Sequence, residues 1–492
     1  IRRFTTPGAI AMRVLVLDIG TSGVRAAIVR DDLHTEHDQY TELLPASPEP
    51  GMVEIDATAL ERVTLDLARS AIEHGGAVDG VAISAQRAST IAWDAATGRP
   101  LGPGLGWQDL RTIALCFAAR AHGLRPAPNQ TATKAQWLLD NYDADRSRDV
   151  RVGTVDTWIA AALSSHELHV TDTTNAGVSG LTNHAFDAWS ERALAVFGIP
   201  HDALARIVPS AGAVGAASAL PGEPPIVAIL GDQQASLAGQ ACVRAGDAKI
   251  TFGTGAMLDM NLGADAPPEG HARNRNGTFP IAAWRVGDET TWALESIMLA
   301  AGTNVQWLRD DMGLIASSGE SDAIASACSH TDGVTYVPAL LGLGTPQWDY
   351  GARSALFGLT RGTTRAHLVR AVLEGVAQRG ADLVDAAVAD SGRAIETLRI
   401  DGGMSDNATF VQALADASGR PVEVSPVREA TTRGAALFGL LALGHFSSTS
   451  DLATTWQPRV RVEPTRPVDR DRWREAVTRA GHWIPTLSAV DL

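Results

Sequence analysis

In Leu230-Gly231-Asp232-Gln233-Gln234, an acid stands between an apolar, strand-like run over residues 226–230 and a small-residue helix expected over residues 235–240. A carboxylate held at a strand end, facing a helix N-terminus, suits removal of a proton from a hydroxyl. The alternative is an Asp that only caps the helix. The stretch Lys249-Ile-Thr-Phe-Gly-Thr-Gly-Ala256 favours the first reading. A strand that breaks at Gly-Thr-Gly and resumes at Met257 leaves bare backbone N–H groups able to approach a phosphate. Acid and phosphate turn in adjacent elements point to phosphoryl transfer.

A similar turn opens the chain. Residues 13–19 are apolar on both faces and read as a central strand. Gly20-Thr-Ser-Gly23 turns them into a second strand over residues 24–29. The spacing is not that of a Walker loop, and a strand rather than a helix follows. Asp18, at the strand end beside the turn, could hold a magnesium ion through water. Leu60, Val63, Leu67 and Ile72 give helical spacing over residues 58–73, and a buried strand over residues 78–84 delivers Gln86-Arg87-Ala88-Ser89. Trp107 and Asp109 share a Gly-rich loop, where an aromatic wall and a hydroxyl acceptor would suit a polyol. Trp137 reads as core. A helix is expected over residues 295–309, and a third strand over residues 398–403 ends in paired glycines. Residues 264–276 read as surface connections, and Trp473 and Trp483 as anchors of the C-terminal tail.

At 492 residues the chain has room for two or three domains. Pro221-Gly-Glu-Pro-Pro225 punctuates it before the Asp232 strand, and the domain boundary is placed to give units 12–245 and 246–492. Residues 1–11 read as an N-terminal extension ahead of Met12. With 45% hydrophobic and 20% charged residues, the composition is that of a globular protein. A net charge of −15 argues against nucleic acid as partner, and no apolar run approaches the ~18–20 residues that span a bilayer. Cys116, Cys242 and Cys328 show no paired spacing, so neither disulfides nor a zinc site is indicated, and a cytoplasmic location is expected.

Read together, Asp18-Ile-Gly-Thr-Ser-Gly, Phe252-Gly-Thr-Gly and Leu398-Arg-Ile-Asp-Gly-Gly403 resemble the actin-like ATPase superfamily. Further segments narrow the resemblance to the FGGY family of carbohydrate kinases, in its glycerol kinase-like branch. These are Trp107-Gln-Asp-Leu-Arg-Thr112, Thr154-Val-Asp-Thr-Trp158, Val170-Thr-Asp-Thr-Thr-Asn-Ala176, Gly231-Asp-Gln-Gln234, Gln306-Trp-Leu-Arg-Asp310 and Ser354-Ala-Leu-Phe-Gly-Leu359. The resemblance implies an α/β, two-domain actin-like (ribonuclease H-like) fold with a nucleotide cleft between the domains. It implies ATP and Mg2+ as cofactors and Asp232 as catalytic base. Arg87, Ala88, Trp107, Asn129, Asp232 and Gln233 would face the acceptor. Thr21, Ser22, Arg25, Gly253, Thr254, Gly255, Gly302, Gln306, Gly402, Gly403 and Asn407 would face the nucleotide, although Gly302 could serve close helix packing instead. Asp18 and Asp232 would hold the metal.

The acceptor side departs from the family pattern. Where glycerol kinases carry Glu after the Gln-Arg pair, this chain has Ala88, and where they place a pocket Tyr it has Asn129. Both changes remove volume. The resemblance therefore implies an acceptor of four or five carbons, a polyol or a xylulokinase-like ketose, in preference to glycerol. A homodimer is compatible with this reading. Two rivals are an actin-like chaperone or filament protein, disfavoured because no further domain is present for a client, and a sugar-responsive regulator without catalysis. ADP release with and without polyols separates all three.

Overall fold

The computed structural model describes residues 11–267 and 273–490. All but Ala11 of the expected extension lies outside the described residues, as do residues 268–272 of the connection read over residues 264–276.

Thirteen strands form one sheet: β1 Arg13–Ile19, β2 Gly23–Arg30, β3 Thr35–Glu42, β4 Gly80–Ala85, β5 Ala211–Ala216, β6 Pro225–Gly231, β7 Ala248–Phe252, β8 Ala256–Gly263, β9 Phe279–Val286, β10 Glu289–Met298, β11 Leu398–Asp401, β12 Val422–Val424 and β13 Val460–Val462. Their order is β13-β12-β11-β7-β8-β10-β9-β5-β6-β4-β1-β2-β3. The principal helices are α1 Ala57–Gly75, α2 Thr131–Tyr142, α3 Asp232–Gly239, α4 Gly302–Asp310, α5 Arg365–Ser391, α6 Ala408–Ser418, α7 Ala430–Ala442 and α8 Arg470–Ala480.

Each half of the sheet is built around an antiparallel hairpin, β1–β2 in one and β7–β8 in the other, flanked by parallel strands, β4 beside β1 and β11 beside β7. A single pairing, Ala211 with Val286, joins the halves between β5 and β9. The sequence explains why β1 is central. Leu15, Leu17 and Ile19 join a core with Leu60, Ala68 and Ile72 of α1, while Val14 and Val16 point the other way, toward Ala435, Ala436 and Phe438 of α7. These five side chains of β1 are fully buried. Each contributes about 1.5–3 kcal/mol relative to exposure, so the strand is held from both faces. Helix α7 comes from late in the chain yet packs on β1, β4 and β6 of the first half. It also crosses α3 backbone to backbone. A Cβ at Gly434 would stand 1.7 Å from the Ala235 carbonyl oxygen, and one at Gly239 only 1.9 Å from that of Ala430.

Two expectations are corrected. The segment read as a helix from residue 295 is strand to Met298, and α4 begins only at Gly302. Pairing with β8 along residues 295–298, and with β9 at Glu295, holds this stretch in the sheet. Of the two tail anchors, Trp473 is buried and donates its indole N–H to Asp382, but Trp483 is 72% exposed and anchors nothing. Trp137, read as core, is partly buried, with the Arg111 guanidinium over its ring.

Candidate active site

Register gathers the site. Ile19 of β1 pairs with Ala85 of β4, and Ala85 pairs with Gly231 of β6. The residues that follow each strand therefore leave the same edge of the sheet: Gly20-Thr21-Ser22, then Gln86-Arg87-Ala88, then Asp232. Gln86 ties two of them together by donating its side-chain amide to the Gly20 carbonyl at 3.2 Å. In the other half, Thr251 of β7 pairs with Asp401 of β11, so the Gly253-Thr254-Gly255 turn and Gly402-Gly403 also share an edge.

Asp232 is the first residue of α3, and Gly231 rather than Asp232 occupies the capping position. Its Oδ1 accepts the backbone N–H of Gln233 at 2.8 Å and faces Arg87 Nε at 3.6 Å. Although 29% of its side chain is open, its dense surroundings raise its pKa above the usual carboxylate range, against the pull of Arg87. A partly open carboxylate of raised basicity, not spent on capping its helix, suits a general base. Arg87 donates from Nη2 to Glu295 at 2.6 Å. Burial opposes its charge, yet Glu295 and Asp232 together hold its pKa above the ordinary value. Ala88 is buried at φ +62°, in the left-handed region that non-glycine residues rarely occupy. Strain of this kind concentrates at functional sites. Trp107 donates its indole N–H to Thr21 Oγ1 at 3.0 Å and its backbone N–H to Ser89, so the Trp107 loop is fastened to the first turn.

Asp109 is not a free hydroxyl acceptor, contrary to expectation. It is fully buried, and its carboxylate takes the Val53 N–H at 2.7 Å and the Arg111 guanidinium at 3.0 Å. Its work is to hold the loop. Asn129 is exposed at the approach to α2, and no hydrogen bond of the described residues ties it to Arg87 or Asp232.

The second turn is clasped by two glycine-bearing segments. The N–H of Ala301 donates to the Thr254 carbonyl at 2.8 Å, and that of Gly302 to the Gly253 carbonyl at 2.9 Å. A Cβ on Gly302 would come within 2.6 Å of that same oxygen, so glycine lets α4 begin against the turn rather than against another helix. Gly402 stands at φ +85° against Phe252, whose carbonyl oxygen would lie 2.3 Å from an added Cβ. Gln306 is exposed on α4. Asn407 caps α6 by accepting the Phe410 N–H at 2.8 Å, and its amide donates to Ser321. Arg25 pairs with Asp38 at 2.6 Å and with Glu429 at 2.9 Å.

Asp18 lies at the head of the first turn, where Thr432 of α7 donates to it at 3.3 Å. Burial, then the negative charges of Asp232 and Glu429, push its pKa up to about 7. Oxygen-only donors with surplus negative charge fit a hard divalent cation that keeps most of its water. Among the described residues, no group of three or more His, Cys, Asp or Glu side chains could form a closed metal cage.

Reasoning from the sequence missed Lys249, Asp259 and Glu295. Lys249 and Asp259 are fully buried and pair at 2.8 Å; Glu295 holds Arg87. The available signal was a charge set within otherwise apolar strand runs.

Models of the FGGY family of carbohydrate kinases match the chain twice, the N-terminal domain over residues 13–239 and the C-terminal domain over residues 248–443. The chain is similar to a glycerol kinase of Deinococcus radiodurans, 37% identical over 96% of this chain and 98% of that protein. It is 40% identical to a glycerol kinase of Aromatoleum aromaticum, over 96% and 99% of the two chains. The crystal structure of Plasmodium falciparum glycerol kinase with ADP superposes with a TM-score of 0.88 at 26% identity, covering 98% of this chain and 99% of that one. No helix among the described residues is long and apolar enough to cross a membrane.

Proposed function

The chain belongs to the FGGY family of carbohydrate kinases, and from that premise we propose that it transfers the γ-phosphoryl group of ATP to a primary hydroxyl of a neutral four- or five-carbon polyol or ketose. It is a phosphotransferase with an alcohol group as acceptor. The observation that carries the acceptor assignment is Ala88, a methyl group at a strained backbone position where the resemblance expects a carboxylate that accepts substrate hydroxyls. Glycerol is the second reading, favoured by the names of the relatives.

In the proposed reaction Asp232 takes the hydroxyl proton while the acceptor oxygen forms a bond to the γ-phosphorus. The bond from that phosphorus to the bridging oxygen breaks, and ADP leaves. Arg87 and Gln233 orient the acceptor, and the Trp107 ring walls it. Thr21 and Ser22 on the first turn, and Gly253, Thr254 and Gly255 on the second, hold phosphate oxygens through hydroxyls and backbone N–H groups. Gly402, Gly403 and Asn407 border the adenosine, with Gly302 and Gln306 beside the phosphates. Arg25 serves this half by bracing Glu429 near Asp18. Asp18 and Asp232 would hold Mg2+ through water, and the cation would offset charge on the transferred group. Closure of the two halves excludes water and so prevents idle hydrolysis.

The test is coupled ADP release with glycerol, a tetritol, a pentitol and a ketopentose. A higher kcat/KM is expected for a longer acceptor than for glycerol. Restoring Ala88→Glu with Asn129→Tyr should move that ratio toward glycerol by about ten- to a hundredfold, the worth of a charged acceptor for one hydroxyl, ~1.5–3 kcal/mol. Wild-type preference for glycerol, or a double variant with the ratio unmoved, sinks the acceptor assignment.

A further inference from the structure

Three buried charges stand side by side on neighbouring strands behind the acceptor region. Register pairs Lys249 of β7 with Asp259 of β8, and Asp259 with Glu295 of β10. Directly paired residues project from the same face of a sheet. Lys249 and Asp259 are fully buried and Glu295 is 7% exposed. Buried ion pairs add little stability, and two carboxylates directly opposed are unfavourable. Folding alone therefore gives no reason for this row.

Its outer members each reach across to the other half of the chain. Lys249 donates from Nζ to Gln233 Oε1 at 2.8 Å and to Thr251 Oγ1 at 3.0 Å, with Asp259 Oδ2 at 2.8 Å on its remaining side. Glu295 takes Nη2 of Arg87. We propose that Lys249, Asp259 and Glu295 are positioning residues for the acceptor, fixing the amide of Gln233 and the guanidinium of Arg87 from the opposite half of the chain. The proposal rests on the acceptor-kinase reading above.

The chemistry of the donors gives the mechanism. An ammonium only donates, so the Gln233 oxygen must face Lys249 and its NH2 group is turned away as a donor. Flipping that amide would set donor against donor. Asp259 keeps Lys249 in place and, being fully buried, cannot touch an acceptor itself. Arg87 is fixed in the same way, by Glu295 at one nitrogen and Asp232 at another, so its plane is set before an acceptor arrives. β7 carries Lys249 and ends at the second phosphate turn, so one strand bears both the acceptor clamp and part of the nucleotide site. Loosening the clamp leaves the turn itself intact.

The experiment compares wild type, Asp259→Asn, and the paired exchange Lys249→Met with Asp259→Leu, which removes both charges together and avoids leaving one unpaired. Thermal unfolding and steady-state kinetics are measured for each, using the best acceptor of the panel. The expected result is an acceptor KM raised about tenfold, equivalent to one misplaced charge-assisted hydrogen bond. The KM for ATP should stay within about twofold and kcat should fall less than KM rises. A role in folding alone would lower Tm without that split. The proposal is overturned by a folded Asp259→Asn protein whose acceptor KM stays within about twofold of wild type, or whose two KM values rise in step. Should the paired variant not fold, the near-isosteric Asp259→Asn decides alone. A wild-type protein with no acceptor-stimulated ADP release overturns the kinase reading and this proposal with it, whereas an active wild type with Asp259→Asn unmoved overturns the proposal only.

Discussion

Exchanging Asp232 for Asn tests the assignment of the base with little else disturbed. An amide oxygen can keep the Gln233 N–H held at 2.8 Å. Arg87 loses a charged neighbour at 3.6 Å but retains Glu295 at 2.6 Å, so its place is kept. What is lost is the ability to take a proton. General-base removal costs ~100- to 10,000-fold in turnover, or ~2.7–5.5 kcal/mol of transition-state stabilisation. Because Asp232 is one of the charges that raise the Asp18 pKa to about 7, that pKa should fall in the variant. The assay is ADP release at saturating acceptor, with calorimetric titration of a non-hydrolysable ATP analogue as control for nucleotide binding and thermal unfolding as control for the fold. Nucleotide binding should be largely intact. A folded Asp232→Asn protein that keeps more than about a tenth of wild-type turnover refutes the assignment of the base.

Two further outcomes are expected. Burial, reinforced by the Arg151 charge, lowers the pKa of His169 from 6.5 to about 4. The unfolded chain therefore binds a proton between these values that the folded protein does not, and His169 makes stability fall as pH drops from about 6.5 to about 4. His169→Gln should flatten that window in urea titrations, and an unchanged pH profile would show that other groups govern it. Gly434→Ala places a methyl group where the Ala235 carbonyl oxygen would be 1.7 Å away. Overpacking at such a contact costs about 1–3 kcal/mol, so the urea midpoint should fall, and an undisturbed midpoint would mean that the helix crossing relaxes.

Much of the scaffold could be read from residue order, because it rests on local signals. The β1–β2 hairpin, the strand that ends at Gly231 and the turn at Gly253-Thr254-Gly255 each carry a run of apolar residues broken by glycine. Residues 295–298 read as helix but are strand, because their state is set by pairing with β8, some forty residues earlier in the chain. Asp109 reads as a site residue because its partner Val53 lies 56 positions away, and the sequence does not show that the neighbouring Arg111 turns back onto it. For the Lys249–Asp259–Glu295 row the sequence offers only charges within apolar runs; that they stand side by side is a property of register across three strands. The left-handed backbone at Ala88 has no sequence signature at all, since Ala is a residue that ordinarily avoids it.

The return of α7 to the first half of the sheet has a consequence for synthesis on the ribosome. Val14, Val16, Ala82, Ala228 and Leu230 have their apolar cover in Ala435, Ala436, Leu437, Phe438 and Leu440, which emerge some four hundred residues after β1 begins. The amino-terminal segment can form its hairpin and dock α1 early, because those contacts are local. One face of β1, β4 and β6 nevertheless stays bare until nearly the whole chain has been translated. During that interval the nascent chain presents an aliphatic sheet face of the kind that holding chaperones bind and that self-associates when left uncovered. A chain stopped near residue 245 would keep that face permanently, so this half of the protein cannot be isolated as an independent folding unit without supplying Ala430–Ala442 in some form.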